Sequence, residues 1–216
     1  MEGRGIVAVS LPVRIFEKRS TAERICDLWC TGPVFLKKAA IETLGDHVER
    51  MKYVISFVIS GMHQVASQRK PFNPILGETF EGYWPDGSRI YVEHISHHPP
   101  ISAFQVDNAD NLYTLEGSYE YTAKVTDLGN SVTGRQVGKN RVRFADGSVI
   151  EWEYPVMKIS GLLFGKRTTH WIGGIDFSDV QNNIYAHLEF SKEGGLFTRQ
   201  ALPIDCIEGH ISKGKN

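Results

Sequence analysis

The chain has 216 residues, of which 41% are hydrophobic and 23% are charged, and its formal net charge at pH 7 is −1. This composition is typical of a globular protein with one ordinary core. The low net charge excludes a globally basic nucleic-acid-binding surface and a global attraction to anionic membranes, so a charged ligand would need a local site. The three cysteines are too few for a disulfide framework, which favours a reducing compartment.

Neither secretion nor membrane insertion is predicted from the apolar segments. Residues 1–16 lack the long apolar core of a secretory signal. The most apolar stretch, Tyr53 to Met62, is far shorter than a membrane span. We therefore expect a cytoplasmic protein.

The first third of the chain is predicted to be helical. The stretch Ser20 to Glu23 has the pattern of a capping box and predicts a helix over residues 20–30. A Gly-Pro break follows, and a second helix is expected over 34–44. Asp46 is then expected to cap a third helix that reaches about residue 67, because its apolar residues recur at helical spacing.

After Lys70 the sequence alternates between apolar and polar residues and is divided by turn motifs. Pro85-Asp86-Gly87 and Asp146-Gly147 are typical of hairpin turns. The expected strands are 76–83, 89–95, 101–107, 111–121, 122–128, 131–137, 141–145, 148–154, 156–163, 168–174, 184–191 and 204–211.

Consecutive short strands joined by tight turns predict an antiparallel meander. A single sheet of so many strands curls or closes, so we expect a mainly β protein with N-terminal helices and a large antiparallel barrel. The pattern is compatible with an interior filled by side chains and equally with one that encloses a ligand cavity.

The most informative segment is Glu93 to Pro100, with the sequence Glu-His-Ile-Ser-His-His-Pro-Pro. Its strand must end at the prolines, which lack the backbone N–H that a ladder needs. In a regular strand His97 and His98 would face opposite sides, so both meet one ligand only if the strand end bends, as the prolines favour. The pair suits an anion; a metal site is the weaker alternative, because His94 and Glu93 do not converge with it automatically.

A second segment, Lys70 to Glu78, has the sequence Lys-Pro-Phe-Asn-Pro-Ile-Leu-Gly-Glu. Its prolines hold the backbone extended, Lys70 offers a positive charge, and Asn73 offers a donor and an acceptor. Such a loop suits a phosphate or a carboxylate, although taken alone it is better explained as a structural loop with a solvated lysine and an Asn-Pro turn.

Sequence motifs of catalysis are missing from the chain. It contains no Gly-x-Ser-x-Gly, no phosphate-cradling glycine loop and no His-Glu-x-x-His. We therefore expect a protein that is not an enzyme and that has no cofactor and no metal.

Together, the two segments resemble the lipid-binding domain of the oxysterol-binding-protein-related family. The family signature is Glu-Gln-x-Ser-His-His-Pro-Pro, which this chain matches except that His94 replaces the usual glutamine, and the Lys70 to Glu78 loop matches in full. The segments Leu11 to Glu17 and Met157 to Gly165 also resemble family segments. The resemblance covers nearly the whole chain, in the right order.

The resemblance implies a large, near-closed antiparallel barrel around an apolar tunnel that holds one lipid. It implies binding of phosphatidylinositol 4-phosphate and its exchange for a sterol or phosphatidylserine between membranes; a lipid sensor or scaffold that signals to a partner is the alternative. The headgroup ligands would then be Lys70, Asn73, His97 and His98. The lid and mouth of the tunnel would include Leu11, Val13, Ile15 and Phe16.

The resemblance also sets expectations for partners and organisation. A transient peripheral contact with organelle membranes, as at membrane contact sites, is expected, and nucleic acid is not. Residues 1–216 would form one domain, with a lid segment at 1–19, helices at 20–68 and barrel strands at 69–216. The family's C-terminal helical part and most of the lid have no counterpart here, so we expect either a minimal form or completion of the site by another chain, such as a second copy.

Overall fold

The computed structural model describes residues 16–66, 70–190 and 206–214. Its helices are α1 (Thr21–Leu28), α2 (Gly32–Ile41) and α3 (His47–Met62), and a short 3₁₀ helix (His63–Ala66) follows α3. Its strands are β1 (Phe16–Ser20), β2 (Lys70–Phe72), β3 (Thr79–Tyr83), β4 (Arg89–His97), β5 (Pro100–Asp107), β6 (Tyr113–Thr126), β7 (Ser131–Val137), β8 (Asn140–Phe144), β9 (Val149–Trp152), β10 (Val156–Ser160), β11 (Thr168–Ile172), β12 (Gly174–Asp179), β13 (Ile184–Glu189) and β14 (Glu208–Lys213).

Helices α1 and α3 begin where the sequence predicts. The Ser20 side chain accepts a hydrogen bond from the Glu23 amide at 3.4 Å, and the Asp46 carboxylate accepts one from the Glu49 amide at 3.0 Å. These bonds satisfy amides that the first turn of a helix leaves without an intrahelical partner. Helix α2 starts two residues earlier than expected, because Pro33 is tolerated in a first turn.

Strands β3 to β14 form one 12-stranded antiparallel sheet, as predicted, in which most sequence neighbours pair; in the described part of the chain β7 and β8, β9 and β10, and β11 and β12 do not pair with each other. Strand β6 is one 14-residue strand rather than the predicted two. Its first half pairs with β8 and its second half pairs with β7. Strand β12 was not predicted. It follows β11 after Gly173, whose positive φ of 86° interrupts the run. Within the described residues β3 and β14 do not pair with each other, so the barrel is not strictly closed.

The sheet wraps around the helices. Helix α1 packs against β3 and β4, whereas α3 packs against β13 near the opposite edge. The buried Trp29 joins the two sides, because its ring lies 5.2 Å from that of Phe104 and 6.3 Å from that of Trp152. Gly61 lets α3 approach α1 closely, since a Cβ there would lie 2.3 Å from the Leu28 carbonyl oxygen. The helices therefore fill one part of the barrel interior.

An antiparallel meander turns alternately at its two ends. The upper end, as named here, carries the β4–β5 turn at His98-Pro99, the β6–β7 turn at 127–130 and the β10–β11 loop at 161–167. The lower end carries the turns at 84–88, 108–112, 145–148 and 180–183, which join β3–β4, β5–β6, β8–β9 and β12–β13.

Arg50 anchors the helices to the lower end. Its side chain is 1% exposed, and its Nε donates to the Ala39 carbonyl at 3.1 Å. One terminal nitrogen donates to Ser148 Oγ at 2.6 Å and pairs with Asp146. Partial burial alone would raise the pKa of Asp146, but hydrogen bonds from Ser148 and Arg50 outweigh it and lower that pKa to about 2.

Within the part of the chain that the structure describes, none of the helices has the length and hydropathy needed to cross a membrane.

Candidate functional site

Strand β4 directs alternate side chains into the barrel. Ile90, Val92 and His94 are buried, whereas Tyr91 and Glu93 are exposed. The pairing register with β5 becomes irregular just after His94. Because burial alternates along β4, His94, which differs from the usual family residue, points inward.

The three histidines of this segment lie in contact. His94 Nδ1 is 3.0 Å from Ser102 Oγ, and His94 Nε2 is 3.3 Å from His97 Nδ1. The rings of His97 and His98 have centroids 4.9 Å apart, so the turn brings together two side chains that a straight strand would separate. Both rings are exposed, and the His98–Pro99 peptide bond is cis.

Burial gives His94 a different role from its neighbours. Its side chain is 2% exposed. Burial lowers its pKa, the charge of His97 lowers it further, and the carboxylate of Glu78 acts in the opposite direction. A neutral His94 can accept a hydrogen bond from His97 Nδ1 at its Nε2 while its own Nδ1 donates to Ser102 Oγ. His94 therefore connects Ser102, at the cavity wall, to the exposed His97 through hydrogen bonds.

The Lys70 to Glu78 loop is bonded directly to the histidine strand. The Gly77 amide donates to the His94 carbonyl, and the His94 amide donates to the Glu78 carbonyl, each at 2.9 Å. Gly77 has a positive φ of 79°, a conformation that glycine adopts without strain. The backbone thus joins the two sequence motifs.

The start of the loop is held by a second, two-stranded sheet. Strand β2 pairs in parallel with β1, and Phe16 stacks on Phe72 with ring centroids 4.8 Å apart. Phe16 therefore lies beside the loop, and its role at a tunnel mouth stays a prediction. The backbone of Lys70 belongs to β2, but its side chain lies outside the described part of the structure. Leu11, Val13 and Ile15 also lie outside the described residues.

A cavity of about 390 Å³ opens between α1, the loop and the upper strands. This volume is within the roughly 300–1,000 Å³ of typical ligand sites. Most of its lining is apolar and includes Ile25, Leu28, Val132, Met157, Ile159 and Trp171. Polar lining is supplied in part by Asn73, His94 and Ser102.

The two predicted binding histidines lie outside this cavity. Among the described residues of the Glu93 to Pro100 segment, His94 and Pro100 line it, whereas His97 and His98 do not. The site therefore has an inner part, where His94 and Ser102 meet an apolar space, and an outer part, where two exposed imidazoles lie beside it. This arrangement suits an amphipathic ligand with an apolar body inside and an anionic group outside.

A larger hollow of about 520 Å³ lies on the sheet where β11 passes into β12. Charged residues such as Arg135, Lys139 and Glu151 line much of it, and none of its described lining residues belongs to either motif. The chemistry indicated by the sequence therefore lies at the smaller cavity.

The oxysterol-binding protein family model matches residues 1–216. The chain belongs to this family. Oxysterol-binding protein 9 of Dictyostelium discoideum is 40% identical over 221 residues, which cover 100% of this chain and 51% of that protein. Human oxysterol-binding protein-related protein 5 is 33% identical over 222 residues, which cover 99% of this chain and 24% of that protein. The chain thus spans about half or less of the length of these relatives.

Solved structures of oxysterol-binding proteins share the fold. The Osh1 ORD domain in complex with cholesterol matches 99% of this chain and 49% of its own, with a TM-score of 0.83 and 24% identity. The Osh1 ORD domain with ergosterol matches 88% and 46%, with a TM-score of 0.77 and 26% identity. The Osh3 ORD from Saccharomyces cerevisiae with PI(4)P matches 95% and 57%, with a TM-score of 0.71 and 25% identity.

Sequence reasoning selected His97 and His98, which lie outside the cavity, and Asn73, which lines it; their binding roles stay predictions. It treated His94 only as a departure from the family signature and did not select Ser102. Extending the period-two alternation of Ile90 and Val92 by two residues would have placed His94 inside.

Proposed function

We propose that the chain binds and transfers lipids: it extracts phosphatidylinositol 4-phosphate and exchanges it for a sterol or phosphatidylserine. The observation that carries the proposal is the apolar cavity of about 390 Å³ lined by His94, with His97 and His98 exposed beside it. Family membership and the ligands of two related structures, ergosterol and PI(4)P, support it.

Selectivity in this proposal comes from the headgroup. Burying a lipid tail removes roughly 0.8 kcal/mol per methylene from water, but the bilayer does the same, so transfer of the tail is nearly neutral. Hydrogen bonds between a phosphate and charged donors contribute about 1.5–3 kcal/mol each. Lys70, His97 and His98 would supply such donors, and Asn73 would contact the polar headgroup.

The ligand would lie with its tail among α1, β7 and β10, and with its phosphate at the β4–β5 turn. A sterol, which carries no phosphate, would leave the histidines and use a polar contact inside, such as His94 or Ser102. The protein would act without cofactor, metal or catalysis, in the cytoplasm, at the surface of organelle membranes.

The test is lipid extraction by the variant His97→Ala with His98→Ala. We expect it to lose extraction of phosphatidylinositol 4-phosphate from vesicles and to keep sterol binding. His210→Ala, which removes an exposed imidazole from β14, is the matched control and should extract normally. Normal phosphoinositide extraction by the folded double variant would contradict the assignment.

A lipid sensor that signals to a partner without transport is the rival function, since the same cavity would serve it. Transfer of labelled lipids between two vesicle populations separates the two. A transfer protein accelerates exchange in proportion to its concentration, whereas a sensor binds lipid and leaves the exchange rate unchanged.

A further inference from the structure

Two neighbouring loops at the upper end expose large apolar side chains. Leu128 in the 127–130 turn is fully exposed, and Leu163 and Phe164 in the 161–167 loop are each 69% exposed. The loops touch, because a Cβ on Gly129 would lie 3.5 Å from Leu163 Cδ1. These side chains contribute little to the core, so packing does not account for them.

Asn130 holds the two loops together. Its side-chain oxygen accepts hydrogen bonds from the amides of Leu163 at 2.9 Å and Phe164 at 3.0 Å, and its carbonyl accepts one from Leu162 at 3.0 Å. Three backbone donors of one loop are thus bonded to one residue of the other. The exposed side chains stand on an ordered frame.

The backbone beneath Leu128 is strained. Asp127 and Leu128 have φ values of 52° and 53°, in the left-handed region that side chains other than glycine rarely adopt. Strain of this kind persists where the surrounding structure enforces it and is common at binding sites. Here it holds a leucine out in solvent.

The charge around this apolar surface is positive. Segments 124–130 and 158–167 together contain four basic residues and one acidic residue. The acidic one, Asp127, pairs with Lys158 at 3.2 Å, and Lys166 and Arg167 lie in the exposed loop. The four lower-end turns contain three aspartates and no lysine or arginine. The surroundings of the exposed apolar side chains are therefore more positive than the lower-end turns.

An apolar tip with basic neighbours is the chemistry of a protein that binds the interface of an anionic bilayer. We propose that the 127–130 turn and the 161–167 loop form a membrane-docking surface. Leu128, Leu163 and Phe164 enter the headgroup region, and Lys166 and Arg167 meet anionic headgroups.

The two loops lie at the same end of the barrel as the cavity. Met157 and Ile159, which line the cavity, lie on the strand that runs into the 161–167 loop. Docking through this loop therefore places the upper end of the barrel, with its cavity and histidines, at the membrane. The purpose of docking rests on the proposed lipid exchange, but bilayer binding itself requires neither lipid ligand.

The test is binding of the full chain to vesicles of phosphatidylcholine with a minority of phosphatidylserine, free of phosphoinositide and sterol. Loss of two apolar side chains from the interface should weaken the partition of Leu163→Ser with Phe164→Ser by about tenfold or more. Val180→Ser is the matched control, because Val180 is 71% exposed at the lower end; its binding should be unchanged. Added salt should weaken wild-type binding, since it screens the basic residues.

Equal vesicle binding by the double variant and the wild type would overturn the proposal, as would an equal loss in Val180→Ser. A concentration-dependent dimer that the double substitution abolishes would instead assign the surface to a second copy of the chain, and would also overturn it. Binding of a water-soluble, short-chain phosphoinositide tests the lipid site separately. Failure of docking and failure of the proposed function can therefore be told apart.

Discussion

The two ends of the barrel are built from the same strands but are closed in different ways. Three of the four lower-end turns are closed by a side chain of their own: Asp86 binds Ser88, Asn108 binds Asp110 and Leu112, and Asp146 binds Ser148. In the fourth, the Asn182 amide donates to Asp179 at the end of β12. At the upper end, the side chain of one loop bonds the backbone of another, and apolar or imidazole groups face outward. We therefore expect the lower end to contribute more to the stability of the fold and the upper end to offer more surface for binding.

Arg50→Ala should cause the largest loss of stability among these variants, and it tests the contribution of the lower end. It removes a buried cation that bonds the Ala39 carbonyl, Ser148 and Asp146, and leaves their polar atoms without it. Loss of one partner from a buried pair costs roughly 3–5 kcal/mol; because Asp146 is partly exposed, we expect about 3 kcal/mol of unfolding free energy. Chemical denaturation measures it. Lys37→Ala, which breaks the exposed pair with Asp110, is the control and should leave stability unchanged.

A matched pair of asparagines sharpens the comparison. Asn108, 3% exposed at the lower end, accepts from two amides and donates to Ser88. Asn108→Ala should cost about 2 kcal/mol, because it leaves buried groups without partners. Asn130→Ala frees two amides that water can reach and should cost under about 1 kcal/mol. The same denaturation assay compares the two variants, and an equal loss would contradict the division between the ends.

The smallest expected effect is a difference in acid sensitivity. The lowered pKa of His94 means that its contribution to stability is full above the ordinary value of 6.5 and is lost as the pH falls through the folded-state value. The contribution of Asp146 is full above 3.8 and is lost only as the pH approaches about 2. Mild acid should therefore loosen the upper end first.

Amide hydrogen exchange, corrected for its intrinsic pH dependence, locates this loss along the chain. His94→Gln should abolish the mild-acid change in β4 and β5 and leave the lower turns as they are. If the lower-end amides lost protection at the higher pH, the assignment of the two groups would be wrong.

Local signals predicted much of the fold. Ser20 and Asp46 cap helices because their side chains reach the third amide of the next turn, and Pro85-Asp86-Gly87 can form little except a turn. The β1–β2 pair was missed because two short segments, 52 residues apart at Ser20 and Phe72, are joined only in the folded chain. Strand β12 was missed because two consecutive glycines at 173–174 conceal a continuing strand.

The candidate site, like the fold, could be predicted from the sequence only in part. The residue types at Lys70, Asn73, His97 and His98 indicated an anion from chemistry alone, although their roles remain predictions for experiment. Their arrangement depends on tertiary structure: a hairpin turn brings the imidazoles together, and two backbone hydrogen bonds bring the loop to β4. Period-two alternation cannot report such contacts, because they join segments far apart in sequence.

The main chain and the side chain of His94 perform separate tasks. Its amide and carbonyl fasten the loop to the strand, whereas its imidazole faces the cavity. The polarity of the cavity wall can therefore be altered at this one position while the frame that holds both motifs stays intact. A substitution at position 94 would therefore change what the cavity wall offers to a ligand without disturbing the backbone that joins the two motifs.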